Sequence, residues 1–223
     1  MAVPASVGIL GGSFDPIHLG HLRSAEEVRE ALSLERLYFV PANQPPHKPE
    51  RRLADGRDRL AMVERAIADN PALRVSSIEI DRGGTSYSID TLASFATVEP
   101  NAALHFIVGI DTFGEMQTWK EAAHLFELAS VVVTSRPPRA IDRSIEHLPV
   151  AAREAFCYDP GTLSYRHRSG TRLLFLPITG IDVSATAVRE RVRRGQSIRY
   201  LVPTEVERYV REHQLYGSGE SIG

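Results

Sequence analysis

Cysteine is almost absent. The single Cys157 in 223 residues excludes an intrachain disulfide and argues against a thiol-ligated zinc centre. Lysine is nearly as scarce: Lys48 and Lys120 are the only two, so arginine carries the positive charge. No sign of charge prevails. A formal net charge of -2 argues against bulk binding to nucleic acid, so any anion site must be local. No apolar run reaches the roughly 20 residues of a membrane-spanning helix, and no membrane partner is expected. The opening MAVPASVGILGG lacks a basic segment followed by a long apolar core, so a cytoplasmic location is expected. Two glycine signatures are also missing. Neither G-x-G-x-x-G nor G-x-x-x-x-G-K-[ST] occurs, which disfavours an NAD-dependent oxidoreductase and a P-loop enzyme.

What is present is ordinary for a chain with a full core: 43% hydrophobic and 24% charged residues, long enough for one medium domain. Short apolar runs at 6–10, 36–42, 103–109, 130–135 and 172–178 read as strands, and 73–80 as a further extended segment. Helical spacing of apolar residues marks 19–32, 58–69, 88–96, 120–129, 183–194 and 204–213. Alternation of the two predicts an α/β fold: a Rossmann-like, doubly wound, mostly parallel sheet with helices on both faces and a small C-terminal helical part. The stretch 136–169 is Pro- and Arg-rich and reads as a helical excursion with a loop. Such sheets bind ligands beyond the carboxyl ends of their strands.

The first such end carries GGSFDPIHLGH, residues 11–21. Glycines there let backbone N–H groups approach a phosphate. With a helix starting near His18, His18 and His21 project from one side of its first turn, at the positive pole of its dipole and among open N–H groups. Gly20 leaves room for a bulky ligand. The arrangement reads as a polyphosphate cradle with two tunable donors. Two surface histidines near a helix cap fit the pair equally well when it is taken alone. A metal pair is weaker, because Asp15 is the only neighbouring third ligand.

This stretch resembles the G-G-x-F-D-P-x-H-x-G-H motif of the nucleotidyltransferase superfamily with an H-x-G-H element. VPANQPPHK (40–48), TSYSIDTL (85–92), FIVGID (106–111), TWK (118–120), SRP (135–137), VSATAVRERV (183–192) and YLVPTEVERYVREHQLYG (200–217) follow in order. Together they resemble the bacterial nicotinate-nucleotide adenylyltransferases over most of the chain, with 139–171 unaligned. The resemblance implies one nucleotidyltransferase domain over 1–223, with 183–216 as the helical part that carries the second phosphate-binding motif. It implies adenylyl transfer from ATP to nicotinic acid mononucleotide, with Mg²⁺ carried mainly by the ATP phosphates and no protein metal site. Both substrates are small molecules, and the residues leave the oligomeric state open.

The other motifs also have plain readings. Ser184 is a good N-cap, with Val183, Ala187, Val188 and Val192 on an apolar face. Asp111, and Asp90 with Thr91, are expected to cap helices. Trp119, the only tryptophan, would usually be core. The resemblance adds the functional roles. His18 and His21 become catalytic and, with Gly12, Ser13, Phe14, Gly109, Asp111, Ser184, Thr186 and Arg189, bind ATP; Arg189 would offer a fork to phosphate oxygens. Asn43, Lys48, Thr85, Ser86, Tyr87 and Trp119 bind the mononucleotide, with Trp119 stacked on the pyridine ring. Ser88 stands where the family often has threonine, and Val183 replaces isoleucine in its I-S-[SA]-T-x-[IV]-R pattern.

Three rivals remain at this level. A phosphopantetheine adenylyltransferase would be shorter, with T-x-G-H and without PPHK or TWK. An enzyme preferring nicotinamide mononucleotide would keep the same chemistry. A non-catalytic ATP-binding regulator would be expected to have lost one of His18, His21, Ser184 or Arg189, and all four are present.

Overall fold

The computed structural model describes residues 4–46, 53–135 and 143–217. The chain runs through β1 (Ser6–Gly12), α1 (Leu19–Ala31), β2 (Arg36–Pro41), α2 (Gly56–Ala66) and β3 (Leu73–Val75). Helices α3 (Ile78–Arg82) and α4 (Ser88–Val98) lead to β4 (Ala103–Gly109), α5 (Ile110–Gly114), a 3-10 turn at Met116–Thr118, α6 (Leu125–Leu128) and β5 (Ser130–Ser135). Then come α7 (Val150–Arg153), the hairpin β6 (Phe156–Asp159) and β7 (Ser164–His167), β8 (Arg172–Pro177), α8 (Ala185–Arg193) and α9 (Thr204–Glu212).

Among the described residues, eight strands form one sheet in the order β3-β2-β1-β4-β5-β8-β7-β6. The first six are mutually parallel, and β7 and β6 extend the edge antiparallel. The Rossmann-like, doubly wound fold expected from the alternation is present. Side chains alternate between the two faces as the strand repeat of two requires. Phe106 and Val108 enter one core with Val131 and Val133, while Ile107 and Val132 enter the other with Leu37 and Phe39. Both faces are covered, which is why these strands read as unbroken apolar runs.

Topology places the site. From β1 the chain winds outward to β3, then returns to β4 on the other side of β1. The carboxyl ends of β1 and β4 therefore flank the switch point, where doubly wound sheets open a crevice. The histidine motif follows β1, and Gly109 ends β4.

Three segments differ from the sequence reading. Within 73–80, pairing with β2 runs out just past Val75, at the Ser76 N–H bond to Phe39 O, and Ile78–Arg82 turns into a helix. Gly83 and Gly84, both at positive φ, end it. Within 120–129, only Leu125–Leu128 is α-helical, and Glu121 sits at φ 50. That left-handed residue interrupts a helix that apolar spacing alone would continue. The described part of 136–169 holds a β-hairpin as well as the short α7. Its strands are too short and polar to show an apolar run, but the Asp159-Pro160-Gly161-Thr162 turn was a readable signal.

Candidate active site

The loop after β1 is built around Phe14. Its backbone lies at φ 45, uncommon for a residue with a side chain, and the Asp15–Pro16 bond that follows is cis. The buried Phe14 ring packs edge-on against Phe39 at 5.4 Å and His21 at 5.1 Å. A Cβ on Gly12 would lie 2.9 Å from that ring. Gly12 is thus demanded by Phe14, a packing reason that the phosphate reading of the glycine did not contain.

His18 is the N-cap of α1, with extended backbone at φ -143 and ψ 170. Its N–H donates to Nδ1 of His21 at 3.3 Å. In a neutral His21 the ring proton then sits on Nε2, the donor a phosphate oxygen needs. The imidazoles stack with centroids 3.6 Å apart at 21°. His18 is buried and His21 half-buried. The i, i+3 pair does share one side of the first turn. Gly20 corrects an expectation: a Cβ there would meet His18 Nδ1 and Val183 Cγ1, each at 3.1 Å. The space it leaves is filled by protein. The Leu19 N–H, also expected to be open, bonds Leu201 O at 3.0 Å.

The second motif arrives at the same place. Ser184 caps α8, its Oγ accepting from Ala187 N at 3.2 Å. Val183 packs against the first turn of α1, so the positive poles of α1 and α8 lie side by side. Arg189 is buried. Its Nη1 donates to Asp15 O at 2.6 Å and lies 3.6 Å from Asp15 Oδ2, and its Nη2 donates to Thr186 Oγ1 at 3.1 Å. The fork expected to face phosphate oxygens is here bound to the first motif. Asp15 has no exposure at all. Its Oδ1 also accepts from Tyr216 OH at 2.8 Å and Ala54 N at 3.2 Å. Burial and the Asp15 charge push the Tyr216 phenol far up.

Across the switch point, a Cβ on Gly109 would meet nothing within 4 Å. Gly109 caps α5, and exposed Asp111 lies in its first turn rather than at the cap. Half-buried Trp119 meets the Phe106 ring edge-on at 6.2 Å.

The mononucleotide candidates form a paired-loop wall. Asn43 N donates to Ser86 Oγ at 2.9 Å, Asn43 Nδ2 to Gly84 O at 2.8 Å, and Ser86 N to Gln44 O at 2.9 Å. Gln44 and Thr85 form a β-bridge. Beneath them is Glu79, whose Oε1 accepts from Thr91 Oγ1 at 2.6 Å and whose carboxyl burial pushes above the usual range. The Ser86 hydroxyl is thus engaged by the Asn43 N–H within the wall. Tyr87 caps α4, while Asp90 pairs with Lys120 at 3.1 Å, so neither Asp90 nor Thr91 is the cap. The Lys120 ammonium lies 4.9 Å over the Tyr87 ring. Lys48, expected to draw in the mononucleotide phosphate, lies outside the described residues.

Sequence reasoning missed Arg59, Glu79 and Tyr216. Arg59 carried the plainest signal: it stands three and four residues before Met62 and Val63, on the buried stripe of α2. No group of three or more His, Cys, Asp or Glu that could hold a metal ion occurs among the described residues. No helix there is long and apolar enough to cross a membrane.

Known proteins resemble this chain over nearly its whole length. The cytidylyltransferase-like family matches residues 9–191. A Trichlorobacter lovleyi protein named "Probable nicotinate-nucleotide adenylyltransferase" is 49% identical over 210 residues, 94% of this chain and 98% of the relative. A Syntrophotalea carbinolica protein of the same name is 46% identical over 214 residues, 96% of this chain and 98% of the relative. The structure of Plasmodium falciparum nicotinic acid mononucleotide adenylyltransferase complexed with NaAD superposes with a TM-score of 0.73 at 16% identity, covering 95% and 97% of the two chains, and so shares the fold. With relatives this similar matched over nearly their whole length, the chain belongs to the nicotinate-nucleotide adenylyltransferase family.

Proposed function

We propose that this chain transfers the adenylyl group of ATP to nicotinic acid mononucleotide in NAD biosynthesis, releasing pyrophosphate. The observation that carries the reading is the stacked His18–His21 pair at the β1/β4 switch point, where the α1 and α8 N-termini converge. A phosphate oxygen of the mononucleotide attacks the α-phosphorus of ATP, forming one P–O bond. The bond from that phosphorus to the bridging oxygen breaks, and pyrophosphate leaves with the electron pair. The nucleophile is already an anion at neutral pH, so the protein contributes positioning and charge stabilisation rather than a strong base.

His18 and His21 donate to the α- and β-phosphates. Gly12, Ser13 and Phe14 shape the loop beside them, and Ser184, Thr186 and the charge of Arg189 serve the leaving pyrophosphate. Gly109 and Asp111 face the adenosine, and the open space over Gly109 supports that placement. Asn43, Lys48, Thr85, Ser86, Tyr87 and Trp119 form the mononucleotide side. Mg²⁺ is assigned to the ATP oxygens and water, in keeping with its preference for phosphate and water ligands. The domain is taken as 1–223 and the location as cytoplasmic, with no nucleic-acid or membrane partner.

The test is pyrophosphate release from ATP and Mg²⁺ with nicotinic acid mononucleotide and with its amide in parallel. Release with the acid and little with the amide supports the reading. Release only with the amide reassigns the pyridine pocket, and silence with both, in protein that binds ATP, overturns adenylyl transfer to this acceptor.

A further inference from the structure

Arg59 has no assigned role, yet it is 1% exposed, and its guanidinium occupies the floor between the two substrate-facing loops. It lies in the first turn of α2, and among the described residues it makes four bonds, all to main-chain carbonyls. Nε donates to Ala54 O at 2.9 Å, Nη1 to Ser13 O at 2.9 Å and to Ala42 O at 2.6 Å, and Nη2 to Asn43 O at 3.4 Å. Ser13 belongs to the loop that carries His18 and His21. Ala42 and Asn43 begin the loop that pairs with Thr85 and Ser86. The parallel ladder between β1 and β2 ends at Gly12 and Pro41, and one more bond joins Ala42 N to Gly12 O at 2.8 Å. Beyond it, Arg59 bridges the diverging chains. Burial lowers the pKa of the guanidinium from its usual value, but arginine remains charged in proteins. Asp15, under the same loop, is the foremost carboxylate acting on it.

We propose that Arg59 is a positioning residue for adenylyl transfer: its rigid fork sets the spacing between the triphosphate loop and the mononucleotide loop, and so the approach of the attacking oxygen to the α-phosphorus. The inference rests on the adenylyl-transfer reading above. A planar guanidinium holds several carbonyls at fixed angles, which a lysine ammonium on a flexible stem does not. Each loop keeps its own contacts without Arg59, because the His18–His21 stack and the Asn43–Ser86 bond do not involve it. Loss of the fork therefore spoils the relation between the two substrates more than the binding of either.

The experiment compares wild type, Arg59→Lys and Arg59→Gln. Kd for ATP and for nicotinic acid mononucleotide is measured singly by calorimetry, and kcat by pyrophosphate release, each referred to folded protein. The expected result is a Kd for each substrate within about threefold of wild type and a kcat lower by about 100-fold in both variants, the order expected for a misplacement near 1 Å. A kcat within threefold of wild type in either folded variant overturns the proposal. So do equal losses in binding and kcat, or failure of both variants to fold, since Arg59 would then serve the fold alone. An inactive wild type overturns the adenylyl-transfer reading itself, and this inference with it.

Discussion

The Asp15–Arg189 pair joins the first motif to the second, and cutting it should be costly in a way that a double-mutant cycle can resolve. Asp15 has no exposure, and the Arg189 side chain is 10% exposed. Asp15→Asn keeps the shape. Its amide oxygen can still accept from Tyr216 OH and Ala54 N, but its NH₂ then faces Arg189 Nη1, which lies 3.6 Å from Oδ2 in the native protein. Two donors oppose each other, and a buried cation loses its counter-charge. Breaking a buried pair from one side costs about 3 kcal/mol. For a chain of this length that corresponds to a Tm lower by about 6–12 °C. Arg189→Met, which also removes the 2.6 Å bond to Asp15 O, should cost about as much from the other side. The double variant has neither buried charge, so it should be more stable than the sum of the single losses by about 2 kcal/mol. Urea titrations at pH 7 with equal slopes measure all four corners. Additivity to within about 0.5 kcal/mol would refute the coupling, and with it the claim that these residues lock the two motifs together.

Three further outcomes follow from the same geometry. His21→Ala should lower kcat by about 100-fold or more while Kd for ATP changes by less than about fivefold; equal and small losses in steady-state kinetics and calorimetry would remove His21 from transition-state stabilisation. Gly20→Ala places a Cβ 3.1 Å from His18 Nδ1, so kcat should fall by about tenfold while Tm holds, since alanine favours a helix by about 1 kcal/mol; an unchanged kcat would show that the His18 ring has latitude. Glu99 accepts from Arg36 at 2.8 Å and Tyr38 at 3.0 Å, and the Arg36 bond holds its carboxyl below the usual carboxylate range. A lowered folded value gives stability that is full above the unfolded value and lost as pH falls through the folded one. Glu99→Gln should therefore destabilise by about 1.5 kcal/mol at pH 7, with the difference fading below about pH 4; a pH-independent difference would rule out the charged pair as its source.

Periodicity made the architecture legible before the structure. An apolar run such as 103–109 must be covered on both faces, and its neighbours with helical spacing are what cover it. The motif at 11–21 was legible for a different reason. His18 and His21 meet by local helix geometry, so their spacing alone brings their rings together. What the sequence hid is long-range and polar. Tyr216 reaches Asp15 across 201 residues, and Arg189 reaches it across 174. Neither hydrophobic period nor helix propensity reports a hydrogen bond of that span. The 73–80 segment failed on a narrower point: Ile78 and Ile80 alternate as in a strand, and only the two glycines behind them suggested the turn.

Arg59 lies between these cases. Its partners are carbonyls, which every residue has, so no partner could be read from side-chain identities. Its position could be read. A charged residue three and four places before Met62 and Val63 falls on the stripe that α2 buries, and burying a charge is unfavourable unless several polar groups receive it. Carbonyls available in that number occur where strands end and the ladder stops using them. In a parallel sheet those ends are also where the ligand sits. An arginine on the apolar stripe of the helix after the second strand therefore points, from sequence alone, to the carboxyl edge of the sheet. The same logic explains why so deeply buried a residue reaches the loops at that edge without being among their exposed groups.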